Sequence, residues 1–357
     1  MAPEAEIAVV IYDYIRKEYL LSAVRSIAAQ TLPRDRFELV VSKNFDDPLI
    51  DRELERSGAI TIHDEDPRFT RCWHRAINAS RAPIVTFLDD DDEYEPDRLE
   101  RILETMREKP DVGYYRNRVR TIDGGGQPIP PERWRSAEQD KELDALGPLY
   151  IAPEDKTRLL ELARRRNRIW PSFNVGTIAI RRELLDGELG RIYEDIRLTM
   201  DMFLFVAGVL SPRAMYVDNR RLTRYRYAPK ARYRLFSGNS HRTISQLGDV
   251  MEDYRMLSAL AARHGRSDLA KWLSRESEYS ERLFRDATLL EQVTAGAERS
   301  EVTRLSKEYL RFLLQTSPDR AFRPDVWKTW AYAFAYLCAP TTTRRFAEVR
   351  FGSGGPF

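Results

Sequence analysis

Cysteine is scarce in this chain of 357 residues: Cys72 and Cys338 are the two present, and they lie far apart. Two thiols so placed build neither a disulfide framework nor, by themselves, a zinc cluster, so a reducing cytoplasm is the default compartment. Long hydrophobic runs are also missing. The nearest candidate, Trp330 to Ala339, has about half the ~18–20 apolar residues that a membrane-spanning helix needs. The opening MAPEAEIAVVIYDY carries acids where a secretory leader carries bases. The chain therefore reads as a soluble or membrane-surface protein. A large basic excess is absent as well. The 58 basic and 56 acidic residues leave a net charge of +2, too small for a protein built to coat nucleic acid, and no nucleic-acid partner is expected. Arginine far outnumbers lysine, a skew that fits either genomic composition or a preference for phosphate clamps.

What is present is enough hydrophobic residue, 42%, to bury a core, and enough length for two domains at about 150 residues each. Through the first hundred residues, apolar strand-like runs alternate with helical spacing. Residues 6–12, 37–41, 59–63 and 83–88 read as strands, and residues 18–30, 48–57, 71–80 and 96–108 as helices. That order predicts an α/β fold with a mainly parallel sheet flanked by helices, whose ligands bind beyond the carboxyl ends of the strands. Further strands are expected at 113–119 and 177–180, a turn at 123–126, and helices at 154–166 and 201–210. Beyond His241 the periodicity is helical throughout, at 244–264, 267–292, 301–315 and 324–337. The expected division is a domain over residues 1–243 and an all-helical one over residues 244–357.

Asp89, Asp90, Asp91 and Asp92 follow the fourth strand directly, and Glu93 comes next. Adjacent carboxylates repel one another, and a fold keeps them only with compensation. One reading is a solvated acidic turn ahead of Pro96. The other is a site for a hard divalent cation, since Mg²⁺ takes one or two carboxylates together with phosphate oxygens. Placement at the ligand edge of a parallel sheet favours the second. A phosphatase with a strand-end Asp-x-Asp nucleophile would carry the motif on its first strand, and a sugar-nucleotide pyrophosphorylase would carry a glycine-rich loop after Tyr12; neither is present.

Three segments resemble the family 2 glycosyltransferases of the GT-A fold. They are VVIYDYIRKEYL, then SIAAQTL at Ser26 to Leu32 against the family's Ser-Ile-x-x-Gln-Thr, and FLDDDD at Phe87 to Asp92 against its Phe-Leu-Asp-x-Asp-Asp. The resemblance is specific over roughly residues 5 to 100 and weaker to about residue 245. It implies a GT-A, Rossmann-like catalytic domain that inverts the sugar it transfers from a nucleotide-diphosphate donor. Asp91 and Asp89 would ligate Mg²⁺ or Mn²⁺, with Asp89 and Asp90 beside the donor. The chain departs from the family at Tyr12-Asp13-Tyr14-Ile15, where Pro-x-Tyr-Asn is usual. It departs again at Ser42-Lys43-Asn44-Phe45, where an Asp commonly reads the base, and at Cys72-Trp73-His74, where Ala-Arg-Asn is usual. Tyr12, Tyr14 and Lys43 are the donor-side candidates there, and Arg71 or Arg75 would supply the displaced cation.

On the acceptor side the resemblance puts the general base at Asp201, with Met200 on the preceding Glu position and Glu194 and Asp195 in reserve. An ordinary helix N-cap is the alternative for Asp201. Arg224-Tyr225-Arg226-Tyr227, followed by Lys230, Arg232, Arg234 and His241, resembles a family segment that closes on the diphosphate; a solvated surface is the alternative, and Arg224 and Arg226 are the candidates. The acceptor is expected to be a glycan or lipid-linked. Trp327, Trp330, Tyr332, Phe334 and Tyr336, near Arg344, Arg345 and Arg350, fit either a docked helix or a peripheral membrane contact. A non-catalytic binding or scaffold protein on the same fold is the competing reading.

Overall fold

An uninterrupted β-branched run, Ile7–Asp13, forms β1, and all seven residues are buried, as a strand covered on both faces requires. The structure is a computed structural model that describes residues 5–13, 17–66, 68–129, 145, 147–166, 174–227, 240–316 and 324–343. Tyr14, Lys230, Arg232, Arg234, Arg344, Arg345 and Arg350 lie outside the described residues, as do the side chains of His241, Trp327 and Tyr332. After β1, helix α1 (Leu20–Ala28) turns Leu20, Ala23, Val24 and Ile27 inward at helical spacing. The alternation continues through β2 (Phe37–Lys43), α2 (Pro48–Arg56), β3 (Ile60–His63), α3 (Phe69–Ala79) and β4 (Ile84–Asp89). Helix α2 begins where the Asp47 carboxylate accepts the amides of Leu49 and Ile50, with Pro48 in the first turn. β1 pairs in parallel with both β2 and β4, and β3 pairs in parallel with β2. Asp13, Lys43, His63 and Asp89 consequently end their strands on one edge.

Next come β5 (Glu93–Tyr94), α4 (Arg98–Glu108), β6 (Val112–Ile122), β7 (Leu149–Ile151), α5 (Lys156–Arg166), β8 (Ile178–Arg181), α6 (Glu188–Tyr193), α7 (Met200–Leu210) and β9 (Ala214–Arg226). Among the described residues these strands form one nine-stranded sheet in the order β3-β2-β1-β4-β8-β6-β9-β5, with β7 also on β9. The second half is mixed. β8 is antiparallel to β4 and β6, β6 is parallel to β9, and β5 and β7 are antiparallel to β9. Strand β9 has no counterpart in the sequence reading, because four arginines and Asp218 interrupt its apolar residues. Folding supplies their partners: Asp218 accepts from Arg101 Nε at 3.0 Å and from the Tyr115 hydroxyl at 3.1 Å.

Two compact units result, Met1–Pro229 with His264–Leu269, and Lys230–Arg263 with Ala270–Phe357. Position 243 lies inside helix α8 (Ser240–Arg263). The second unit also contains most of α9 (Ser267–Ala295), and α10 (Arg299–Thr316) and α11 (Pro324–Cys338). Leu289, Val293, Val302, Tyr309, Leu313 and Ala333 pack together there, and Tyr309 stacks on Trp330 with centroids 6.1 Å apart.

Beneath the β4 edge of the first unit lies a buried polar network. Arg98, fully buried, donates from Nε to Asn117 Oδ1 at 2.9 Å and from Nη1 to Thr86 Oγ1 at 2.9 Å, and its guanidinium lies 3.8 Å from the Tyr94 ring centroid. Thr86 passes its own proton to Ile178 O at 2.7 Å, and Asn117 donates to Thr223 Oγ1 at 2.9 Å. One cation therefore ties α4, β4, β6 and β9 together. Truncation to Arg98→Ala should cost about 3–5 kcal/mol, because buried acceptors lose their donor and the cavity stays polar. Urea unfolding followed by circular dichroism measures it; a loss below about 1 kcal/mol would mean the network is not a structural tie.

Candidate active site

Parallel register brings the donor-side candidates together. Tyr12 stands opposite Ser42 on one side and Asp89 on the other, and Asp13 stands opposite Lys43, which is opposite His63. Tyr12 is buried and stacks against Phe69 at 6.2 Å. Asp13, which the sequence reading did not single out, is buried at the strand end and accepts the Lys17 amide at 3.2 Å. Lys43 reaches the edge but turns into its own loop. Its ammonium donates to Phe45 O at 2.5 Å and pairs with Asp51 at 3.0 Å. Of the two candidate replacement cations, Arg75 is locked on Asp64 by two bonds of 2.6 Å, while Arg71 lies 3.8 Å from Asp66. Cys72 is buried beside that pair, and burial pushes its thiol up to about 12, so it stays protonated.

The acidic run makes a tight turn in which the Asp92 amide donates to Asp89 O at 3.1 Å. Its four carboxylates are not equivalent. Asp92 is buried, and its carboxylate accepts from Asn174 Nδ2 at 2.9 Å and from the Arg226 amide at 2.8 Å. Burial, then Asp91 and Asp89, push its carboxyl well above the usual range. Asp90 is buried too, whereas Asp89 and Asp91 stay partly accessible. Asn174 also accepts the Gly176 amide at 2.6 Å, and a β-carbon at Gly176 would come within 2.9 Å of that same oxygen, so a larger residue there would push the Asn174 side chain from its place. Asp92 thereby fastens the turn to the segment entering β8 and to the end of β9.

Arg226 holds the turn from the other side. Its Nε donates to Asp91 O at 2.7 Å, its Nη1 to Asp123 O and Gly124 O at 3.0 and 3.1 Å, and its Nη2 to Glu93. The guanidinium also lies 4.5 Å from the Tyr19 ring centroid and is 2% exposed, which leaves it almost no surface to offer a ligand. Arg224 pairs with the second Glu93 oxygen at 2.8 Å and donates to Gly126 O at 2.7 Å, but is 30% exposed. Of the two cations that the sequence groups together, Arg226 is a buried tie and Arg224 keeps a face toward solvent.

Carboxylate oxygens suit Mg²⁺ or Mn²⁺. Among the described residues no group of three or more His, Cys, Asp or Glu side chains could hold a metal ion. With Asp92 engaged by its hydrogen bonds, Asp89 and Asp91 are the accessible oxygen donors. Their mutual repulsion, felt also at Asp92, is what a cation completed by phosphate and water would relieve, so the residues fit such an ion.

Asp201 sits in the first turn of α7, which Thr199 precedes without a side-chain cap. Its carboxylate accepts its neighbour Met202's amide at 2.8 Å rather than capping the helix. Burial pushes its carboxyl up to about 6, opposed by backbone amides and by the Arg116 charge. Arg116 is itself buried in β6 opposite Ile178 and Val217, and burial lowers it to about 10. Sequence reasoning passed over Arg116, although the triplet Arg116-Asn117-Arg118 within a buried strand is the kind of signal that marks it. The far end of α7 is fixed by cations: Lys156 donates to Gly208 O at 2.9 Å and Ser211 O at 2.5 Å, and Arg266 to Val209 O at 3.2 Å. Glu194 and Asp195 lie exposed just after α6, with Glu194 3.4 Å from His74.

Residues 7–187, half of the chain, match the sequence model of Glycosyl transferase family 2. The chain belongs to that family. Solved structures agree on the fold. The chain superposes on Staphylococcus aureus (S. aureus) TarS with a TM-score of 0.52 at 12% identity, covering 98% of this chain and 55% of TarS. Against TarS 1-349 the TM-score is 0.53 at 15% identity, covering 98% and 92%, and against TarS 1-349 in complex with UDP it is 0.52 at 15%, with the same coverage. These are GT-A folds, and this family 2 chain shares that architecture. No curated protein matches the chain.

The contrast between the two β9 arginines is measurable. Arg226→Ala should lower unfolding stability by about 3–5 kcal/mol by leaving Glu93 and several carbonyls buried and short of donors, whereas Arg224→Ala should cost about 1 kcal/mol or less. Denaturant unfolding of both variants tests this, and equal small losses would return Arg226 to the list of ligand-facing cations.

Proposed function

We propose that this protein transfers a sugar from a nucleoside-diphosphate donor to an acceptor hydroxyl with inversion. The observation that carries the reading is the Asp89–Asp92 turn, at the carboxyl edge of a parallel sheet in a family 2 glycosyltransferase, with Tyr12 in register beside Asp89. Asp91 and Asp89 would hold a divalent cation. That ion, when bound, stabilises negative charge on the departing diphosphate. Tyr12 and Asp13 line the base and ribose side, Arg224 faces the phosphates, and Asp92, Asn174 and Arg226 keep the turn in place. Lys43 shapes the loop after β2.

Asp201 acts as the general base. The acceptor oxygen forms its bond to the anomeric carbon as the bond from that carbon to the donor phosphate oxygen breaks. The hydroxyl proton passes to the Asp201 carboxylate, and the nucleoside diphosphate leaves with the bonding electrons. A carboxyl raised to about 6 is ionised at neutral pH yet more basic than an ordinary Asp, which suits that task. The acceptor is a glycan or a lipid-linked sugar. TarS 1-349 has been solved with UDP and shares the fold, so uridine nucleotides are the first donors to examine.

UDP, GDP or another nucleoside diphosphate with Mn²⁺ should raise the melting temperature, and Asp91→Ala should remove the shift. No metal-dependent shift with any nucleotide would overturn the reading. Asp201→Asn should keep that shift while lowering kcat by about 10²–10⁴-fold, the scale of general-base catalysis. Wild-type kcat should rise as pH increases through about 6, as Asp201 loses its proton. Stability should run the other way. Because the folded carboxyl binds its proton more tightly than the unfolded one, Asp201 weakens the fold as pH rises from about 4 to 6. Asp201→Asn should therefore stabilise the protein at pH 8 by up to about 3 kcal/mol.

A further inference from the structure

Seven large hydrophobic side chains are strongly exposed among the described residues, and three of them, Leu310, Leu314 and Phe334, sit on the paired helices α10 and α11. On α10 the buried residues Val302, Ser306, Tyr309, Phe312 and Leu313 take one face. The outward face carries Lys307, Leu310, Arg311 and Leu314 at spacings of three and four, which makes one continuous stripe. Leu310 is 41% and Leu314 52% exposed. Lys307 and Arg311 make no ion pair among the described residues, whereas the neighbouring Arg304 is neutralised by Glu301 and Glu308 at 2.6 Å each. On α11 the same spacing exposes Ala331, Phe334, Ala335 and Cys338, with Phe334 70% exposed.

We infer that the outward faces of α10 and α11 dock on an anionic lipid bilayer. Exposed apolar side chains beside cations that make no ion pair among the described residues match the bilayer boundary, where the former enter the acyl region and the latter meet headgroup phosphates. No helix among the described residues is long and apolar enough to cross a membrane, so the contact is interfacial. A second copy of the chain fits less well. A two-fold contact centred on this stripe would bring the like-charged Lys307 and Arg311 toward their own counterparts. The inference goes beyond sugar transfer: it concerns where the chain resides, and it stands or falls separately from the reaction.

Sedimentation of the full chain with vesicles tests it. Vesicles containing phosphatidylglycerol should bind it at about 0.1 M salt, pure phosphatidylcholine should not, and salt near 0.5 M should release it. The exposed-site variant L310D/L314D should lower partitioning about tenfold or more, and K307E/R311E should remove the salt-sensitive part, with melting temperatures unchanged in both. The nucleotide-induced thermal shift should persist in these variants, so failure here is distinguishable from failure of the transfer reading. Absence of binding to anionic vesicles would overturn the inference, as would wild-type partitioning of both variants. A concentration-dependent dimer abolished by L310D/L314D, without vesicle binding, would assign the face to self-association and overturn it as well.

Discussion

Five consecutive carboxylates at one strand end repel one another, and the organisation of this site follows from how that repulsion is compensated. Asp92 is buried among hydrogen-bond donors, Glu93 is shared between Arg224 and Arg226, and Arg226 also holds the Asp91 carbonyl. With those two acids compensated from within, Asp89 and Asp91 are the partly accessible carboxylates of the run, and they are the ligands proposed for a cation. The order of the sheet serves the same end. β9 must run beside β6 and meet β5 for its terminal arginines to reach the turn, and the buried Arg98 network keeps β4, β6 and β9 in that relation.

Asp201, the proposed base, is set by a different device. Asp201 is not the N-cap residue of its helix; its carboxylate accepts the Met202 amide, and it lies in the first turn of a helix whose other residues are nearly all buried. Burial raises its proton affinity, and Arg116 limits that rise. The buried Lys156 and the partly exposed Arg266, donating to carbonyls at the opposite end of α7, fix the helix that carries it. The donor turn is thus governed by charge compensation and the candidate base by desolvation.

The β–α alternation of the first ninety residues was legible because β1, β2 and β4 are buried and read as nearly unbroken apolar runs, while the edge strand β3, largely exposed, still carries a β-branched pattern. Helices were legible wherever apolar residues recur at three and four. β9 was hidden, since its arginines look like surface until their partners on β6, α4 and the acidic turn are in place. Lys43 and Arg226 show the same limit at the site. Their sequence positions suggest ligand-facing cations, while the folded chain directs Lys43 to Asp51 and Arg226 to Glu93. Arg116 was the converse, a charge inside an apolar strand whose neighbour Asp201 lies on a separate helix.

By itself the sequence determined where the first four strands, most of the helices and the acidic run fall, because burial periodicity and local repulsion are written in adjacent residues. It also determined the family, since the Asp run and its upstream segments are contiguous. Only the tertiary structure decided which acid is buried, which arginine is a tie, and which carboxyl is made more basic. Those outcomes depend on partners between 82 and 135 residues away in the chain, such as Asp92 with Asn174 and Asp91 with Arg226, and on desolvation, a property of the packed surroundings that no single segment carries.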